Sequence, residues 1–233
     1  MKKFTALSDM HGLLPELDDK PDILLVGGDN VPLNIQMSSD KSKKWFKEEF
    51  IPWCESNCNE KAYVIAGNHD MWLYYHGNDQ FKPMLPEKVA YLENEVAVCD
   101  DVVIVGSPMC KEFGNWWFMH PNFLLRERYD RLIEEVNKVR EDKTVIFLTH
   151  DAPLGTSDVL LQKDCRWANG NHIGSIELED TIKKMHPDIV LHGHLHSTNH
   201  DLETMNDGFT SVYNVSLVNE DYNAVYKPLE FKI

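Results

Sequence analysis

Five short apolar runs in this chain each end in side chains that bind metal ions or move protons. Residues 61–66 lead through Gly67 into Asn68, His69 and Asp70. Residues 4–8 run into Asp9 and His11, and residues 23–26 into Gly27, Gly28 and Asp29. Residues 144–149 end at His150 and Asp151, and residues 188–191 at His192, Gly193, His194 and His196. One Asp-x-His or His-x-His pair means little, because both arise by chance. Five such endings in order, each at the carboxyl end of a strand-like run, are specific, since α/β proteins place their chemistry there. Imidazole, carboxylate and carboxamide donors without thiolate suit Mn, Fe, Co or Zn rather than a soft-ligand metal.

The ordered set of Asp-x-His, Gly-Asp, Gly-Asn-His-Asp, a lone His and Gly-His-x-His resembles the calcineurin-like metallophosphoesterases, and does so from Asp9 to the last strands. The resemblance implies an α/β fold, a four-layer sandwich of two mixed β-sheets flanked by helices, with the metals at one edge. It implies two divalent ions, manganese first, with iron, zinc or cobalt as alternatives. Asp9, His11 and His196 would hold one ion, Asn68, His150 and His194 the other, and Asp29 would bridge them. Such a pair clamps the attacking and leaving oxygens of a phosphoryl displacement, with a metal-bridging hydroxide attacking in line. Two ions bring about +4, and two carboxylates and a hydroxide remove about three, which leaves a site that attracts phosphate. His69 would face the substrate as the catalytic acid. Asp70 would accept a hydrogen bond from that imidazole and set its tautomer.

A narrower resemblance rests on Gly106-Ser-Pro108, Glu112-Phe-Gly-Asn-Trp-Trp-Phe118, Leu148-Thr-His-Asp-Ala-Pro-Leu-Gly155 and Tyr213-Asn-Val-Ser216. It is similar to the small metallophosphoesterase-domain proteins related to class III cyclic-nucleotide phosphodiesterases. This implies phosphodiester substrates, cyclic nucleotides among them. Asp151 and Ala152 depart from the Gly-Pro usual there, and Asn30 follows Asp29 where an aromatic or hydroxyl residue is common. A phosphomonoesterase or pyrophosphatase on the same scaffold is the alternative. A non-catalytic protein-binding scaffold would have lost ligands, and none of the seven positions is empty.

A net charge of −15 over 233 residues argues against extended nucleic acid as partner, because such binders carry a basic face. The expected partner is a small phosphoester. No apolar stretch approaches the roughly 18 residues that span a bilayer, so a soluble, cytoplasmic protein is expected, without a membrane partner. Cys54, Cys58, Cys99, Cys110 and Cys165 are odd in number and scattered, so reduced structural thiols are expected.

These loops need rigid supports, and length suits one domain across residues 1–233. Strands are expected at residues 3–8, 22–26, 61–66, 90–98, 102–105, 144–149, 188–191, 210–217 and 225–232. Helices are expected at 13–20, from Ser38 or Ser39 to Cys54 with Pro52 disturbing it, from Asn122 to Val139, and at 175–184. Residues 71–87 read as a loop or broken helix near the site. Asp164 and Arg166 are further candidates to reach it from the 151–174 loop.

Overall fold

The computed structural model describes residues 1–160, 170–206 and 208–233; Asp164, Cys165 and Arg166 lie outside them. Two sheets carry the molecule. The first is built from β1 Lys3–Leu7, β2 Ile23–Val26, β3 Lys61–Val64, β4 Val89–Tyr91 and β13 Leu229–Lys232, in the order β13-β1-β2-β3-β4. The second is built from β5 Glu95–Cys99, β6 Val102–Ser107, β9 Thr144–Thr149, β10 Ile189–His192, β11 Glu203–Met205 and β12 Thr210–Asn214, in the order β11-β12-β10-β9-β6-β5. A short parallel pair, β7 Cys110–Lys111 and β8 Met119–His120, lies between β6 and β9 in sequence.

Period-two alternation sorts the apolar residues into layers. Phe4, Ala6, Ile23, Leu25, Tyr63 and Ile65 from the first sheet meet Ile104, Ile146, Leu148, Leu191 and Val215 from the second. Their neighbours turn the other way. Leu24, Val26, Ala62 and Val64 pack under Phe46, Phe50, Trp53, Trp72 and Phe81, which come from helical segments. Val103, Val105, Val145, Phe147, Val190 and Val212 pack under Leu125, Tyr129 and Leu132 of one helix and Leu178 and Ile182 of another. The result is helices, sheet, sheet, helices, and both sheets are buried on both faces, which is why their strands read as continuous apolar runs.

β1, β2 and β3 run parallel, as do β6, β9, β10 and β12. Their carboxyl ends meet at one edge, and the sheets are joined there. Ser8 forms a parallel bridge with Ser216, through Ser8 N–H to Val215 O at 2.8 Å and Leu217 N–H to Ser8 O at 3.0 Å.

Several expectations need correction. Residues 13–20 form no helix; the Pro15 carbonyl accepts the Trp53 indole N–H at 3.0 Å instead of a helical amide. The expected 90–98 strand is two strands. Asn94 turns the chain at φ 56°, so β4 pairs with β3 in one sheet and β5 with β6 in the other. The helix from Ser39 to Ser56 is continuous, but Phe46–Phe50 widens into a π-helical turn just before Pro52, which has no N–H to give. Residues 71–84 are helical, again with a π turn at Gly77–Phe81. Asn122–Val139 is helical as expected. Ser175 caps Ile176–Met185 by accepting Leu178 N–H at 3.3 Å. No helix among the described residues is long and apolar enough to cross a membrane.

Candidate metal centre

The loops after β1, β2 and β3 bring Asp9, His11, Asp29, Asn68 and His69 to the shared edge, and those after β9 and β10 bring His150, His194 and His196. Donor atoms of Asp9, His11 and His196 lie within 4.8 Å of one another, as do those of Asp9, Asp29 and His150, and those of His11, Asp29 and His69. Asp9, His11 and Asp29 each belong to two of these groups, and Asp29 stands between the others. Its Oδ2 is 3.8 Å from His11 Nε2 and 3.9 Å from His69 Nε2, while Oδ1 is 3.4 Å from His150 Nε2. His150 Nε2 also lies 3.1 Å from Asn68 Oδ1. The His194 ring lies 5.3 Å from that of His150, so the side chains expected to form two ion positions and a bridge are all at one place.

The backbone is bent to achieve this. Asp9, His11, Asp29 and His194 have φ of 54°, 44°, 49° and 67°, left-handed values that cost these residues energy and gather at functional sites. Close approach also demands glycine. A Cβ on Gly67 would sit 2.3 Å from Asp29 Oδ1, and one on Gly193 would sit 2.2 Å from Asp9 Oδ2.

The hydrogen bonds fix the imidazoles. His150 Nδ1 faces Gly27 O at 2.8 Å, and a carbonyl only accepts, so Nδ1 carries a proton and Nε2 is the nitrogen turned toward Asn68 and Asp29. His196 Nδ1 faces Asn219 O at 3.3 Å in the same way, with Nε2 3.2 Å from Asp9 Oδ1. Asp9 also accepts Ser216 O–H at 2.7 Å and His194 N–H at 3.1 Å. Both ring nitrogens of His11 are buried without a hydrogen-bond partner.

Electrostatics show what this arrangement lacks. Burial opposes charge on Asp9, but the His196 bond wins and holds its carboxyl well below the usual range. Asp29 is likewise buried and held low by His150 and His69. Burial opposes a charged His150 too, yet Asp29 and Asp9 push it up to about 10. Burial pushes His11 down to about 4 and His194 to about 3, which keeps their lone pairs free. Two buried carboxylates facing five imidazoles call for positive charge, and divalent ions supply it while using every lone pair. The donor set fits two ions.

Asp70 does not touch the His69 imidazole. It is buried and accepts Asn30 N–H and Val31 N–H, each at 3.0 Å, Gly67 N–H at 3.0 Å and the Asn30 carboxamide at 2.9 Å. Asp70 thus ties the second and third motif loops together, and Asn30 is its partner. His69 is oriented by Gln36, whose Oε1 lies 2.6 Å from Nδ1, so Nδ1–H donates and Nε2 faces the site. Asp151 turns away from the donors to accept Lys111 N–H at 2.8 Å and Ala152 N–H at 3.0 Å. His192 is buried, with Nδ1 3.2 Å from Gly193 O and Nε2 unpartnered.

Above the donors lies a cleft of about 850 Å³. Its walls include Phe113, Trp116 and Tyr222, with Lys111, Glu112 and Glu220. Trp116 lies on His69 at 4.3 Å, Phe113 on His194 at 5.1 Å, and Tyr222 meets His11 edge-on at 4.8 Å. Gln36 and Tyr222 escape the sequence reading because each is a single residue brought in by tertiary packing. The Gly114-Asn-Trp-Trp-Phe118 and Asn214-Val-Ser216 segments are the available signals. Asn214 donates to Leu195 O at 2.8 Å, and Ser216 donates to Asp9, so the second motif braces the site from behind.

The chain is 28% identical over 207 residues to "Probable rhamnogalacturonate lyase C" of Emericella nidulans, which covers 83% of this chain but only 17% of that protein's length. Among solved structures it is similar to TT1561 of Thermus thermophilus, with a TM-score of 0.60 at 17% identity, covering 91% of this chain and 88% of that one. The phosphopantetheinyl hydrolase of Mycobacterium tuberculosis gives a TM-score of 0.60 at 14% identity, covering 92% and 88%. Those likenesses carry the fold. Residues 2–198 match the family described as calcineurin-like phosphoesterase, and with the donor set in its expected order at the shared sheet edge, the chain belongs to that family.

Proposed function

We propose that this protein is a two-metal phosphoesterase that hydrolyses phosphodiester bonds of small substrates. The observation that carries the reading is that Asp29, Asn68, His69, His194 and His196 line one cleft, with donor atoms of Asp9, His11 and His150 grouped directly against them. Asp9, His11 and His196 would hold one ion, Asn68, His150 and His194 the other, with Asp29 shared. Bound there, the ions supply a water nucleophile at neutral pH and neutralise phosphoryl oxygens. His69 keeps its Nδ1 proton on Gln36, so its Nε2 is the atom that delivers a proton to the leaving oxygen.

Charge in the cleft favours a monoanion. Among the described lining residues Lys111 is the one Lys or Arg, and its ammonium is held by Gly174 O at 2.8 Å. Glu112 and Glu220 add negative charge to the walls. A monoester dianion is commonly clamped by Arg or Lys in addition to metals, and these walls offer little. The aromatic walls suit a flat group carried by the substrate, such as a nucleobase.

The test is bis-p-nitrophenyl phosphate against p-nitrophenyl phosphate, then 2′,3′- against 3′,5′-cyclic nucleotides, on one manganese-loaded preparation. The diester is expected to lead. A kcat/KM for the monoester about tenfold or more above every diester would replace this reading with a phosphomonoesterase, in which Lys111 leaves Gly174 to meet the substrate.

A further inference from the structure

A sulfur atom stands among the donors of the second ion position. The donor atoms of Cys110, His150 and His194 all lie within 4.8 Å of one another. An ion bound to sulfur at about 2.3 Å and to nitrogen at about 2.0–2.1 Å keeps such donors roughly 3.5 Å apart, so a small adjustment closes the set. We propose that Cys110 is a direct ligand of the second ion, which makes that position a soft one that selects zinc or cobalt over manganese.

The environment of Cys110 is not that of a packing residue. Cys54 and Cys58 lie within an apolar cluster with Phe50 and Trp53, as buried thiols used for packing do. Cys110 is equally buried, yet it belongs to none of the three apolar clusters. Its neighbour Met109 supplies the packing there, beside Tyr129 and Leu125. Its sulfur is grouped with ring nitrogens of His150 and His194, so it faces the metal centre. Among the described residues its sulfur makes one hydrogen-bond contact, a long one to Pro108 O at 3.8 Å.

Its placement is also firm. Cys110 N–H donates to Phe118 O at 2.9 Å, and Lys111 N–H donates to Asp151, the residue directly after His150. The segment that carries the thiol is therefore tied to the side chain of the residue following His150, a ligand it would share an ion with. On binding, the sulfur–metal bond forms and the thiol proton leaves to solvent, with no change of oxidation state. The first position, Asp9, His11 and His196, offers nitrogen and oxygen alone. Two positions of different softness favour two different metals, manganese or iron in one and zinc in the other.

The inference rests on the metal centre proposed above. The experiment is a cobalt(II) titration of the chelator-treated protein, followed by absorption spectroscopy. A sulfur-to-cobalt charge-transfer band in the near ultraviolet is expected, and Cys110→Ser should lose it while still binding cobalt through oxygen and nitrogen. Cys99→Ser should keep it, which excludes the exposed group of Glu60, Cys99 and Asp100. A chain with the other four cysteines replaced should keep the band too, and this holds even if the Cys110 variant fails to fold. Competition between zinc and manganese should shift toward manganese by about tenfold or more in Cys110→Ser. Two cobalt ions bound with no band, or a band that survives in Cys110→Ser, overturns the proposal and leaves the phosphoesterase reading standing. If cobalt does not bind at all, both fail.

Discussion

Asp70→Asn separates two roles that its neighbours in sequence could suggest. In the structure Asp70 is a knot between loops, and His69 answers to Gln36. The Asn amide nitrogen would face Gly67 N–H and the Asn30 carboxamide, where a carboxylate oxygen now accepts both. The Asn30 carboxamide keeps its bond to Ile65 O at 3.1 Å and so cannot turn its oxygen to the new amide, while the Gly67 amide is left buried and unpaired. An orphaned donor costs about 1–3 kcal/mol, and a lost charge-assisted bond about as much again. A total near 3 kcal/mol follows. With about 2.1 cal/mol/K per residue of unfolding entropy over 233 residues, Tm should fall by about 6 °C. Calorimetry on chelator-treated protein measures this without the contribution of bound ions. Gln36→Leu should do the reverse: it removes one hydrogen bond, costs about 1 kcal/mol or about 2 °C, and lowers kcat about tenfold with an altered pH profile. If Asp70→Asn leaves Tm within about 1 °C and changes the pH profile instead, Asp70 serves His69 and the assignment is wrong.

Three further outcomes are expected. His69→Ala should keep two ions by elemental analysis and lose activity by about 10²- to 10⁴-fold, whereas Asp29→Ala should lose an ion, since its two carboxylate oxygens face His11 on one side and His150 on the other. Gly67→Ala places a Cβ 2.4 Å from Asp29 N as well as against its carboxylate, so metal affinity should drop by about tenfold or more in competition with a chelating dye; unchanged affinity would show that the loop yields. Saturating the chelated protein at about a thousand times Kd should add about 4 kcal/mol and raise Tm by roughly 8 °C, and a flat melting curve across that titration would contradict a folded-state metal site.

The legible parts of this molecule are those where chemistry is continuous with a strand. Asp9, Asp29, Asn68, His150 and His194 each follow a run buried on both faces, so apolar pattern and donor type point to the same edge. What the sequence does not show is set by contacts far apart in the chain. Gln36 reaches His69 across 33 positions, and Asp70 reaches Asn30 across 40. The switch of sheets at Asn94 is invisible in the apolar pattern, because both halves of residues 89–99 are strand formers and only a left-handed φ divides them. Residues 13–20 have helical composition, but a carbonyl there is claimed by Trp53, a tertiary hydrogen bond that no local propensity reports.

That the donors are divided between the sheets has a mechanical side. Asp9, Asp29 and Asn68 ride on one plate, and His150, His194 and His196 on the other, while packed hydrocarbon cements the middle. Bound ions would act as rivets along one margin, beside the Ser8–Ser216 bridge that serves as the hinge line. Drawing the rivets would leave each plate and the packed middle intact but loosen the margin about that line. Spin labels on exposed positions of opposite plates would then report a broader distance distribution in the stripped protein, while labels within one plate would keep theirs.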